Sequence, residues 1–124
     1  MNRNLAKRRT MLLRLIPLLL LVVTGQATAH AMLDRAEPRV GNTVATAPRE
    51  VRLWFTQKLE AAFSTLTVTD SAGQRIDTGK ARVSGNQMSI SIRGGGAGTY
   101  RVIWRAISVD AHTTDGSFTF QVGR

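Results

Sequence analysis

The chain has 124 residues, no cysteine and a formal net charge of +9. Without thiols it has neither disulfide staples nor thiolate ligands, which removes the usual soft-ligand sites for Cu(I), structural zinc and iron–sulfur clusters. The charge does not point to nucleic acid. Arg3, Lys7, Arg8, Arg9 and Arg14 crowd the beginning of the chain, and the other basic residues form no stripe interleaved with aromatics.

Those five residues open a leader. Leu15 to Val23 is apolar apart from Pro17, and Ala27-Thr28-Ala29 has the small-x-small pattern of a signal peptidase site. A secretory signal peptide is expected over residues 1–29, cleaved after Ala29. The apolar run is shorter than the roughly 20 residues that a spanning helix needs, and Arg14 interrupts it on its amino side. Arg8-Arg9-Thr10-Met11-Leu12 matches a twin-arginine signal too incompletely to choose an export route. The mature chain would be residues 30–124, with 12 basic and 8 acidic residues and a net charge of +4. It is expected to be a periplasmic monomer with one domain, no linker and no membrane span. A domain of this size buries somewhat more than about 60% of its unfolded surface.

The mature chain alternates with period two almost throughout, and no stretch makes a convincing helix. Val51, Leu53 and Phe55 mark one strand, Leu66 and Val68 a second, and Met88, Ile90 and Ile92 a third. Tyr100, Val102, Trp104 and Ala106 share one face of the next strand, and Phe118, Phe120 and Val122 one face of the last. Turn signals fall between them at Pro38–Asn42, Ala47-Pro48, Asp70–Gly73, Ser84–Asn86 and Gly94–Gly98. Trp104 lies in the apolar phase and is expected in the core. Trp54 is out of phase with Val51, Leu53 and Phe55 and is expected on the surface or the opposite face. The run Arg93-Gly94-Gly95-Gly96 lacks the Lys and the helix amino terminus of a phosphate-cradling loop, and is expected to close a hairpin. The pattern predicts an all-β, immunoglobulin-like antiparallel Greek-key β-sandwich of about seven strands. Trp104 and the phenylalanines would pack the sheets in place of the missing disulfide.

The chain has two histidines, His30 and His112. In Val109-Asp110-Ala111-His112, an extended backbone would point Asp110 and His112 to the same side, where a carboxylate oxygen and an imidazole nitrogen can converge. Two such residues also suit a solvated loop pair or a local Asp-to-backbone turn bond. His30 adds weight to a metal site. After cleavage its free amine and ring Nδ1 could chelate one ion, and with His112 and Asp110 the set becomes three nitrogens and one oxygen. A tetragonal nitrogen and oxygen set without thiolate suits Cu(II), which also heads the divalent affinity order. The α-amine, with an ordinary pKa of about 7.7–8.0, must lose its proton to bind.

The stretch from His30 to Val122 resembles the CopC family of exported copper-binding proteins. The resemblance is carried by a histidine directly after the leader, by "EPRVGNTVATAP" and "VRLWFTQKLE", and above all by "GTYRVIWRAISVDAHTTDGSFTFQV". That last segment joins a G-x-Y-x-V-x-W strand to S-x-D-x-H and a closing G-x-F-x-F strand. The resemblance implies a Greek-key β-sandwich that carries or buffers copper in the periplasm without catalysis, in resistance or uptake. It also implies one Cu(II) per chain at His30, Asp110 and His112. Some relatives carry a methionine-rich Cu(I) segment where this chain, over roughly Thr69 to Met88, has only Met88. Gln57 stands where some members place an acid, and it cannot supply a carboxylate. An inner-membrane copper transporter, fused to some relatives, would here be a separate partner.

Two other readings stay open at this level. Copper-dependent polysaccharide monooxygenases also grip the metal with an amino-terminal histidine and a second histidine. They leave positions open for oxygen, whereas Asp110 would fill one here, and so small a domain leaves little polymer-binding face. The other is a metal-free immunoglobulin-like interaction module, in which the paired histidines are coincidental.

Overall fold

Period-two alternation becomes eight strands in the computed structural model, which describes residues 31–123. They are β1 (Leu33–Glu37), β2 (Thr43–Val44), β3 (Glu50–Phe55), β4 (Thr65–Thr69), β5 (Asp77–Ser84), β6 (Gln87–Ile92), β7 (Gly98–Ile107) and β8 (Thr113–Val122). Two four-stranded sheets, ordered β1-β3-β6-β5 and β2-β8-β7-β4, face each other. The β5–β6 and β7–β8 hairpins stay within a sheet, and the other connections cross between sheets, giving a Greek-key sandwich.

The expected all-β Greek-key sandwich is the fold that forms, and three details refine the sequence reading. There are eight strands rather than about seven, because β2 is two residues long and too short for periodicity to reveal. It also pairs parallel to β8, Thr43 with Gln121 and Val44 with Val122, so that sheet is not wholly antiparallel. The glycine run does not close a hairpin. It links β6 in one sheet to β7 in the other, with the Tyr100 hydroxyl donating to the Gly96 carbonyl at 2.7 Å.

The inward phases form the core. Val51, Leu53, Phe55, Met88, Ile90 and Ile92 of the first sheet face Leu66, Val68, Tyr100, Val102, Trp104, Phe118 and Phe120 of the second, all buried. Trp104 meets Phe55 edge to face across the sheets, ring centroids 5.1 Å apart, and Tyr100 stacks on Phe120 at 5.3 Å. Gly116 lies opposite Trp104 in the β7–β8 ladder, and a Cβ there would sit 2.6 Å from the indole Cζ2. Only glycine leaves that room. Trp54 is half-buried on the outer face, its ring covered by the Arg35 guanidinium at 3.7 Å. No helix among the described residues is long and apolar enough to cross a membrane.

Candidate metal centre

The β7–β8 ladder ends at Ile107 and Thr113, and the residues between them make a tight turn. The Ala111 amide donates to the Ser108 carbonyl at 2.8 Å and the Ser108 amide to the His112 carbonyl at 2.9 Å. Ala111 has a left-handed φ of 73°. These are the features of a short hairpin loop that closes on a left-handed residue, a place usually given to glycine. Asp110 and His112 therefore meet across a turn and not along an extended strand, which corrects the geometry expected from their spacing.

They do meet. His112 Nδ1 lies 3.2 Å from Asp110 Oδ1, with both side chains about half exposed. Ser108, fully buried, donates its hydroxyl to the same Oδ1, and the His112 backbone amide also points at the carboxylate. The local Asp-to-backbone bond and the side-chain pair thus coexist. The Ser108 hydrogen bond first, and then those from His112, hold the Asp110 carboxyl below the usual carboxylate range.

Two further segments border this turn. The Val109 amide donates to the Lys58 carbonyl at 3.1 Å and the Glu60 amide to the Ile107 carbonyl at 2.7 Å, so the stretch after β3 runs alongside. Gln57 lies half-buried in that stretch. The beginning of the described chain is tied down from both sides. Ala31 is fully buried, and its carbonyl accepts the Thr114 hydroxyl at 2.7 Å. The Met32 amide donates to Thr56 Oγ1 at 3.0 Å, and the Thr56 amide returns a bond to the Met32 carbonyl at 2.9 Å. His30 and the expected signal peptide lie outside the described residues.

Among the described residues, no three His, Cys, Asp or Glu side chains gather into a group able to hold a metal. Asp110 and His112 bring one carboxylate oxygen and one imidazole nitrogen together. Of the sulfurs, Met32 is exposed while Met88 is sealed in the core. Sequence reasoning missed three residues here: Ser108, Thr56 and Thr114. Ser108 begins the S-x-D-x-H motif. Thr114 is a hydroxyl in the inward phase of Phe118, Phe120 and Val122, where an apolar residue is expected. Thr56 carries no local signal.

Residues 33–123 match the family model for the CopC domain. The chain is 34% identical over 114 residues to copper resistance protein C of Escherichia coli, covering 84% of this chain and 90% of that one. It is 29% identical over 115 residues to copper transport protein CutJ of Bacillus subtilis (strain 168), covering 89% of this chain. It spans only 21% of CutJ's length. Of solved structures, CopC from Methylosinus trichosporium OB3b superposes with a TM-score of 0.70 at 28% identity, covering 76% of this chain and 94% of that one.

Proposed function

The chain belongs to the CopC family, and on that premise we propose that it is an exported protein that carries or buffers Cu(II) in the periplasm, in copper resistance or transport. It acts as a carrier and not as an enzyme. One Cu(II) is held per chain by the amine and ring Nδ1 of His30, the carboxylate of Asp110 and the imidazole of His112. The names of its relatives, copper resistance protein C and copper transport protein CutJ, support the copper role. A separate inner-membrane copper transporter would be its partner.

One observation carries the ligand set: Thr114, two residues from His112, holds the carbonyl of Ala31. Consecutive Cα atoms are about 3.8 Å apart across a trans peptide. Residue 30 therefore begins one peptide unit from a residue bonded to the strand that follows His112. The donor chemistry agrees with copper. Asp110 is kept ionised by its hydrogen bonds, and a nitrogen and oxygen set without thiolate favours Cu(II) over Cu(I).

The reading is tested with two versions of the domain, one beginning at His30 and one with a single residue ahead of it. Titration with Cu(II) followed by electron paramagnetic resonance should show tight one-to-one binding and a nitrogen-rich tetragonal spectrum in the first version only. Equal binding by both would move the metal to other residues and refute the ligand set.

A further inference from the structure

We propose that Thr114 is a positioning residue for copper: its hydroxyl fastens the amino-terminal segment to the strand after His112, so the site is assembled before the metal arrives. The inference rests on the ligand set proposed above and adds a residue that touches no metal.

Thr114 sits in the inward phase of β8, directly opposite the fully buried Ala106. A hydroxyl facing the interior needs a partner. Its partner is the Ala31 carbonyl, 83 residues away in sequence, at 2.7 Å. Ala31 is fully buried, so that carbonyl has little access to water and the Thr114 donor is what satisfies it. Met32, the next residue, is tied by two bonds to Thr56 just beyond β3. The segment therefore crosses the end of the sandwich, with Met32 held to the first sheet and Ala31 to the second. The Ala31 carbonyl and the Met32 amide belong to one planar peptide unit, which Thr114 holds from the second sheet and Thr56 from the first.

Chain termini fray unless something holds them. A ligand segment in place for only part of the time binds with a dissociation constant raised by the inverse of that fraction. Thr56 alone would hold that peptide unit from one side and leave it free to tilt away from the second sheet. Thr114 closes that route. Valine has the same branched shape as threonine but no donor, so Thr114→Val removes the bond with little change in volume.

The test uses the domain beginning at His30, with Cu(II) affinity read by competition against a chromophoric chelator. Thr114→Val should weaken Cu(II) binding about tenfold, equivalent to about 1.4 kcal/mol. At saturation its paramagnetic resonance spectrum should match that of the unmodified domain, because the ligands are the same. Amide exchange at Met32 should quicken in the metal-free state. Thr114→Ser, which keeps the donor, should bind within about twofold of the unmodified chain. A merely structural role would lower the metal-free melting temperature but leave the dissociation constant of the folded protein and the serine rescue without contrast. A folded Thr114→Val domain with unchanged affinity would overturn the proposal. Should the valine variant not fold, Thr114→Ala against Thr114→Ser poses the same question, and equal affinities would overturn it. The unmodified domain and His112→Ala, run alongside, separate the two layers. If His112→Ala binds as tightly as the unmodified domain, the ligand set has failed, whatever Thr114 does.

Discussion

Ala111 offers a test in which stability and copper binding should move in opposite directions. It lies between Asp110 and His112 with φ at 73°, and its side chain is exposed, so a substitution there loses no packing. A left-handed conformation costs an L-residue roughly 1–2 kcal/mol, and glycine escapes that cost. Glycine gives back about 0.4–1 kcal/mol through the greater freedom of the unfolded chain. Ala111→Gly should therefore stabilise the metal-free domain by about 0.5–1 kcal/mol. For a domain of this size that raises the melting temperature by about 2–8 °C. Ala111→Val should do the reverse by about 1 kcal/mol or more, because a β-branched side chain tolerates positive φ worst. Copper should respond differently. Glycine lets the turn sample other shapes, so Asp110 and His112 spend less time in register, and Cu(II) affinity should fall about two- to threefold. Thermal melts in the presence of a chelator, paired with copper competition, read both quantities. A glycine variant that melts lower than the parent, or a valine variant that melts at the same temperature, would refute the left-handed turn and the argument built on it.

Two further outcomes are expected. Asp77 Oδ1 accepts the buried Val68 amide at 2.9 Å, and Arg75 grips both carboxylate oxygens, at 3.2 and 2.6 Å. Burial pushes the Asp77 carboxyl up, but the Arg75 and Val68 hydrogen bonds outweigh it and hold the group below its ordinary value. The stability it contributes is complete above the unfolded value of about 3.9 and is lost as pH falls through the lower folded value. Asp77→Ala, which orphans the Val68 amide, should cost about 1–3 kcal/mol at pH 7. Urea melts should show the gap narrowing toward pH 3, and a constant gap would sink the assignment. Copper affinity should fall about tenfold per pH unit just below the α-amine's range of about 7.7–8.0, since a proton must leave for each metal bound. Asp110, already ionised well below that range, adds nothing to the slope. Affinity that stays level from mildly acidic to mildly alkaline buffer would remove the amine from the ligand set.

The inner faces of β3, β6, β7 and β8 were readable because each buries one side, which forces every second residue to be apolar. Trp104 in the core and Trp54 outside it followed from phase alone. β5 escaped that reading because it is an edge strand, largely exposed and kinked near the left-handed Gly79, with few apolar positions to set a phase. The glycine run was misplaced for another reason. β6 and β7 both alternate strongly, and nothing local tells a strand which sheet will take it. In the site, the closeness of Asp110 and His112 was legible but its cause was not, since the left-handed position holds alanine where glycine or asparagine would have announced the turn. Thr56 and Thr114 act on backbone groups 24 and 83 residues away, a relation no local pattern encodes.

The division of labour between fold and ligands bears on when the chain becomes able to hold copper. The bonds that fix Ala31 and Met32 are made by Thr114 and Thr56, and neither involves a metal. Those bonds, and the 19 buried apolar residues of the described chain, hold the sandwich together through contacts that include no metal. On the proposed ligand set, residue 30 supplies two of the three nitrogens, and one of them is an amine only once the bond after Ala29 is cut. Before cleavage that nitrogen belongs to a peptide, where resonance withdraws its lone pair and a proton occupies the position the metal would need. The precursor would then offer Asp110, His112 and one ring nitrogen at most. Metal bound only by the folded, processed chain would add about 4 kcal/mol at a thousandfold excess over its dissociation constant. Cleavage would thus confine tight binding to the compartment in which the leader is removed, and the preassembled Ala31 segment would let binding follow cleavage without a refolding step.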